Sequence, residues 1–310
     1  MNTPSTNAPE LSDSPPIAPA VISATRPFYW SVRRELWENR FIYIAPLAAA
    51  AVFLVGFLIS AIHLPGKVRG LSSLDLMEYR EVIARPYDIM SGSMMLIGML
   101  VSVFYCLDAL YGERRDRSIL FWKSLPISDR TAVLAKASIP LVVVPLVTFA
   151  IGVTTHFIML LLSSAVLLGS GASVNALWSS ISFFRMSALL LYHLFTAHTI
   201  WPAPVYCWLL LVSAWARRAP FLWAVLPPVA IAGLEEIAFH TSHFATTLAG
   251  RFIGNASTSS STGREIFPTN PMTHITPIEY LASHGLWIGL AVAVAFLAAA
   301  VRVRHYREPL

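Results

Sequence analysis

The chain has 310 residues, of which 56% are hydrophobic and only 13% charged, and its net charge is +5. A soluble domain carries about a quarter charged residues, so this composition excludes an ordinary soluble globular protein. The basic balance does not mark a nucleic-acid partner, because the arginines gather at the ends of apolar runs, as in the cytoplasmic loops of membrane proteins. Cys106 and Cys207 both fall inside apolar runs and offer neither a disulfide framework nor a metal-ligand spacing.

Residues 1–25 come first. The first 24 contain no Lys or Arg and are rich in Pro, Ser, Thr and Asn. They lack the basic start of a secretory signal and read as a disordered tail. Residues 26–40, RPFYWSVRRELWENR, place Tyr29, Val32, Leu36 and Trp37 near one helical face, with Arg33, Arg34, Glu35 and Glu38 mostly elsewhere. Pro27 suits a first helical turn. This is an amphipathic helix for the headgroup layer, or else a continuation of the first span.

A bilayer crossing needs about 20 apolar residues. Six runs qualify: 41–62, 89–111, 137–168, 186–214, 219–237 and 281–301. The fold class is therefore an all-α polytopic membrane protein with six transmembrane helices, spanning residues 26–310. The third run is too long for an upright helix, and Pro140 and Pro145 bend its start. Pro202 and Pro204 kink the fourth, and Pro227-Pro228 lie within the fifth. The outer connections are 63–88, 169–185 and 238–280, the last rich in Ser, Thr and Gly and read as extended or poorly ordered. One side of this layout collects 15 Lys and Arg residues, the other 7. The bias puts both termini in the cytoplasm.

The cytoplasmic loop 112–130 is unusual. Glu113, Arg114, Arg115, Asp116 and Arg117 run together, and the apolar knot Ile119-Leu120-Phe121-Trp122 follows. A purely solvated loop has no use for that knot. Trp122 alone fits an interfacial anchor. The whole run fits a short cytoplasmic helix over 117–124, with charges to solvent and an apolar ridge for docking. Ser124-Leu125-Pro126 ends it, since the residue before a proline disfavours the helical region.

The stretch GERRDRSILFWKSLPISDRTAVLAKA resembles the first cytoplasmic loop of ABC transporter permeases of the type 2 export class. The resemblance rests on the acidic-basic pair Glu113-Arg114, the coupling helix 117–124, the turn Pro126-Ile127-Ser128, Arg130, and Lys136 at the start of the third span. Arg117 stands near where the family commonly has a glycine. The amphipathic segment 26–40 is similar to the family's elbow helix. The resemblance implies a non-catalytic membrane subunit of an exporter in a bacterial inner membrane. It implies a homo- or heterodimer with a second permease and a separate ATP-binding subunit as partner. Glu113, Arg114, Arg117, Ile119, Leu120, Phe121, Trp122 and Pro126 would then carry coupling to that ATPase. The sequence has no phosphate-binding G-x-x-x-x-G-K-[ST] of its own, since Gly66-Lys67 is followed by Val68. No cofactor is expected in this chain.

Two alternatives remain in the residues. Glu235, Glu236, His240 and His243 form the best candidate for a metal site and hence a membrane-embedded metal-dependent enzyme, although a polar cap on the fifth span explains them more simply. An ATPase-independent transporter is the other. His156, His193 and His198 lie within spans and read as interhelical hydrogen-bonding groups. Met90, Met94, Met95 and Met99 read as adaptable packing. The charge bias makes a direct prediction: reporters fused at Leu310 and within 113–130 should register cytoplasm, and one near Thr258 the outside. A Leu310 fusion registering the outside would overturn the six-span layout.

Overall fold

A computed structural model of the chain describes residues 25–63, 66, 76–116, 128–171, 174–253 and 277–306. The N-terminal tail, residues 117–127 with the apolar knot, and residues 254–276 lie outside the described residues. All regular structure among the described residues is helical. Among the described residues five helices are long and apolar enough to cross a membrane, or six if one bent pair counts as a single span. The chain is thus a multi-pass helical membrane protein.

Helix α1 spans Thr25–Glu38 and α2 Phe41–Ala61. Only the two-residue break Asn39-Arg40 separates them, held by the Asn39 backbone N–H donating to the Glu35 carbonyl at 2.9 Å. Helix α3 runs over Leu76–Ala109 and passes through Pro86 without ending. It begins well before residue 89, so much of the expected loop 63–88 is helix. A proline inside a helix forfeits one ladder bond, and the residues around it are polar, so the apolar window alone did not reveal this first part. The short α4, Tyr111–Arg115, follows α3 almost directly.

The third span is continuous from α5, Asp129–Ser138, through a π-helical turn at Ile139–Val143 into α6, Val144–Gly169. Pro140 sits in that turn. A wider turn leaves room for the proline ring, which would clash in a regular helix. The helix therefore reaches out of the apolar band at its start, back to the Ser128 cap, whose Oγ accepts from the Thr131 N–H at 3.1 Å. After the small α7, Asn175–Ser180, comes the bent pair. Helix α8 is Phe183–Phe195, a π-helical turn covers Thr196–Ile200, and α9 is Ala203–Trp215, at 46° across the break containing Pro202. Helices α10, Pro220–Phe239, α11, His243–Ile253, α12, Pro277–Ala282, and α13, His284–Tyr306, complete the chain. The start of the expected loop 238–280 is therefore helix α11.

The two largest of the apolar clusters among the described residues lie at the centre of the bundle. One joins α2, α3, α5 and α9 through Ile42, Tyr105, Cys106, Tyr206 and Leu210. The other joins α2, α3 and α6 through Phe57, Tyr87, Met90, Met94, Met159 and Leu160. Both cysteines are thus core residues with free thiols, and Met90 and Met94 fill the seam between helices. Within this second cluster His156 is fully buried, its Nε2 3.2 Å from Ser91 Oγ and 3.2 Å from the Tyr87 carbonyl oxygen. The Tyr87 hydroxyl meets Ser163 Oγ at 3.3 Å. These polar contacts tie α3 to α6. Helices α2 and α10 turn most of their apolar side chains outward, among them Val52, Ile59, Leu226 and Ile237. In a bilayer such faces meet lipid or another helix.

Ala219, which starts α10, has left-handed backbone angles (φ 47°, ψ 63°). An alanine there costs about 1–2 kcal/mol against the right-handed region. Ala219→Gly should therefore raise stability by roughly 0.5–1 kcal/mol after glycine's own entropic cost, read as a higher unfolding temperature in detergent. A lower unfolding temperature would contradict that backbone geometry.

Candidate functional site

The spans converge at one end on a cluster of buried charges. Lys136, in the second turn of α5, is the centre. Its Nζ donates to Glu35 Oε1 of α1 at 2.7 Å and lies 3.2 Å from Glu113 Oε1 of α4. The Tyr105 hydroxyl donates to the other Glu35 oxygen at 2.8 Å. Arg304, in the last turns of α13, donates to Glu113 Oε2 at 3.2 Å, and its Nε lies 3.8 Å from Asp129 Oδ1. Arg34 Nη1 stands 3.7 Å from Glu113 and its Nε bonds Glu38 at 2.7 Å. Glu35, Glu113, Lys136 and Arg304 are all under 9% exposed, so these pairs are shielded from solvent screening. Lys136, Arg34 and Arg304 face the buried Glu35 and Glu113, the part-buried Asp129 and the more exposed Glu38.

Arg114, the neighbour of Glu113, turns the other way. Its guanidinium donates to the carbonyls of Ala214 and, at 2.8 Å, of Ala216. Those are the carbonyls that the end of α9 leaves without helical partners, and a cation suits the negative end of the helix dipole. Ser213 Oγ accepts from the Leu110 and Tyr111 N–H groups at 3.0 and 2.8 Å. Through it, the end of α9 satisfies the start of α4. The pair Glu113-Arg114 thus faces into the bundle and fastens α4 to α13 on one side and to α9 on the other.

This geometry changes the surroundings of the loop residues singled out by sequence. Glu113 is brought together with Lys136, which the sequence offered only as part of a resemblance, while Arg114 meets the end of α9. Arg117, Ile119, Leu120, Phe121, Trp122 and Pro126 lie outside the described residues. Asp108 sits exposed, 3.9 Å from Arg115. Sequence reading missed Glu35 and Arg304. Glu35 stands on an amphipathic helix beside Arg33 and Arg34 and looked solvent-facing. The available signal for both was charge at the margin of an apolar run, where a buried partner is needed.

Glu35 shows how tightly the cluster holds charge. Burial works against its charged form, but the Lys136 ammonium, its hydrogen bond, the Tyr105 hydroxyl and the field of Arg34 together keep the carboxyl below its ordinary range.

The far end is built differently. Both Glu235 oxygens are engaged. Oε1 accepts from Thr241 Oγ1 and the His243 N–H at 3.0 and 2.9 Å, and Oε2 accepts from the Phe244 N–H at 2.8 Å. Glu235 is the cap of α11. Among the described residues no group of three or more His, Cys, Asp or Glu side chains is placed to hold a metal ion. The other end of α11 reaches the break in the fourth span. There Arg251 donates to the carbonyls of Trp201 and Gly285 at 3.2 and 2.5 Å and stacks over the Trp201 ring at 4.5 Å. Gly289 leaves the space this guanidinium needs, since a Cβ there would sit 2.6 Å from Nη1.

Comparison with protein-family models, with curated proteins and with solved structures finds no match for this chain.

The cluster yields a stability test. Removing one partner of a buried ion pair costs about 3–5 kcal/mol, because the remaining charge stays buried. Lys136→Ala should lower stability by that order, whereas Lys136→Met combined with Glu35→Gln and Glu113→Gln should recover much of the loss. The sign with pH is also fixed. A carboxyl whose folded value lies below its unfolded value of about 4.3 contributes stability above that pH and loses it as pH falls through the folded value. Acid below about pH 4 should therefore destabilise the wild-type chain more than Glu35→Gln, each measured against its own stability at neutral pH.

Proposed function

We propose that this chain is the membrane-spanning permease subunit of an ATP-driven ABC transporter of the type 2 export class, set in a bacterial inner membrane with both termini in the cytoplasm. A separate ATPase subunit hydrolyses ATP, and loop 112–130 couples that hydrolysis to movement of the spans. The observation that carries the reading is the anchorage of this loop. Glu113 lies just before residues 117–127 and Asp129 just after them, and Arg304 stands between the two, at 3.2 and 3.8 Å. Lys136 ties the same Glu113 to Glu35 of α1. Displacement of the loop is therefore handed to α1, α3, α5 and α13 together rather than absorbed by a slack connection.

In this reading α1 is the elbow helix, and its Glu35 joins it to the root of the coupling loop. Residues 117–124 form the coupling helix, with Ile119, Leu120, Phe121 and Trp122 filling a groove on the ATPase and Arg117 registering the contact. Glu113 and Arg114 serve as the rigid base behind it. Apolar anchors carry affinity by excluding water, while flanking charges steer and orient the encounter. The outward apolar faces of α2 and α10 are available to a second permease in the membrane.

Trp122→Ala tests this most cleanly, since it leaves the buried cluster intact. Loss of an anchor worth at least about 2 kcal/mol should weaken ATPase co-purification by more than tenfold and lower transport-linked ATP hydrolysis, with membrane insertion unchanged. A Glu113→Ala, Arg114→Ala pair should instead fail at the level of chain stability. If Trp122→Ala associates and couples like the parent, the loop is an ordinary connection and the proposal falls.

A further inference from the structure

A cleft of about 990 Å³ opens between α5 and α13 at the basic end of the bundle. Its walls are apolar, formed by Val133 and Leu134 of α5 and by Val294, Ala298 and Val301 of α13. The three α13 residues recur at spacings of four and three, so they form one stripe of that helix. Val294 lies eight residues from Arg302, or ~12 Å along the helix axis. The cleft thus extends from the charged margin well into the apolar band. Arg130 and Arg302 stand at its rim and are exposed.

Among the described lining residues the rim carries more basic than acidic groups. Asp129 is the sole acidic side chain among the described lining residues, and it is engaged by His305 at 3.1 Å and by Arg304 at 3.8 Å. The occupant that fits is one with an anionic end at the level of the two arginines and an apolar tail reaching toward Val294. We propose that this cleft binds an anionic phospholipid from the leaflet at the basic end, with its phosphate between Arg130 and Arg302 and one acyl chain along the α13 stripe. Basic pockets between transmembrane helices are suited to such headgroups. Residues 117–127 are a poorer occupant on charge. They carry Arg117 and Lys123 and no acidic residue, and would bring positive charge against a positive rim. A second copy of the chain would present the same basic rim to itself.

Native mass spectrometry of the purified full chain, titrated separately with dioleoylphosphatidylglycerol and dioleoylphosphatidylcholine, tests the assignment. The parent should retain one phosphatidylglycerol about tenfold or more tightly than phosphatidylcholine, given roughly 1 kcal/mol per arginine near an anionic headgroup. Arg130→Gln with Arg302→Gln should remove most of that preference. Ala298→Trp, which fills the cleft from an exposed position without changing charge, should weaken binding while leaving the arginines in place. Equal retention of the two lipids, or a preference that survives the double substitution, overturns the proposal. So does displacement of phosphatidylglycerol by millimolar inorganic phosphate, which would mark a site for free anions. So does a lipid-free dimer formed through this face.

Discussion

One ammonium group shared between two buried carboxylates sets the terms for the rest of this molecule. Lys136 cannot be charged in an apolar setting without partners, and neither can Glu35 or Glu113. Each is affordable only if the others are in place, so the three act as one unit. They come from α1, α4 and α5, with Arg304 adding α13. Packing of apolar side chains alone leaves neighbouring helices free to slide or rotate at small cost. A buried ion pair does not, because a shift of a few ångströms strands a charge. The register of four elements at the basic end therefore follows from this cluster.

The two ends of the bundle solve the same problem by different means. At the basic end, charge is neutralised by charge, and Arg114 adds its guanidinium to the carbonyl end of α9. At the far end, Arg251 is matched by the Trp201 carbonyl at the break in the fourth span, by the Gly285 carbonyl at the start of α13 and by the face of Trp201. Non-helical backbone within a membrane protein needs such partners. The first arrangement joins chain segments that a loop separates. The second repairs a helix that proline interrupts. Between them the contacts are apolar, with His156, Ser91, Tyr87 and Ser163 forming one polar seam between α3 and α6.

The same cluster ties the two ends of one connecting loop to each other and to the rest of the bundle. Its two roots share Arg304, and its first root shares Lys136 with the amphipathic N-terminal helix. A loop rooted in mobile chain would dissipate any displacement. Here the roots are among the most constrained points in the structure, and the helices they fix include most of those that cross the apolar band. The cleft beside α13 lies next to the same cluster, so an occupant there would touch the helices the cluster holds together.

Much of the fold was legible because membrane spans announce themselves locally. Long apolar runs over 41–62, 137–168, 219–237 and 281–301 are one-dimensional signals, and Pro140 and Pro202 mark where the third and fourth spans depart from regular helix. The amphipathic spacing of α1 and the charged roots of loop 112–130 could be read in the same way. The polar start of α3 and the short α11 could not, since neither is apolar enough to stand out and both are stabilised by what they pack on. The charge cluster was invisible for a deeper reason. Glu35 and Lys136 are 101 residues apart, and Glu113 and Arg304 are 191 apart. No local pattern distinguishes a glutamate facing water from one facing a lysine on another helix. Sequence determined which segments enter the membrane, because the free energy of burying a segment is summed along it. Only the tertiary structure decided which charges meet, because that energy depends on a distance between segments that the chain itself leaves open.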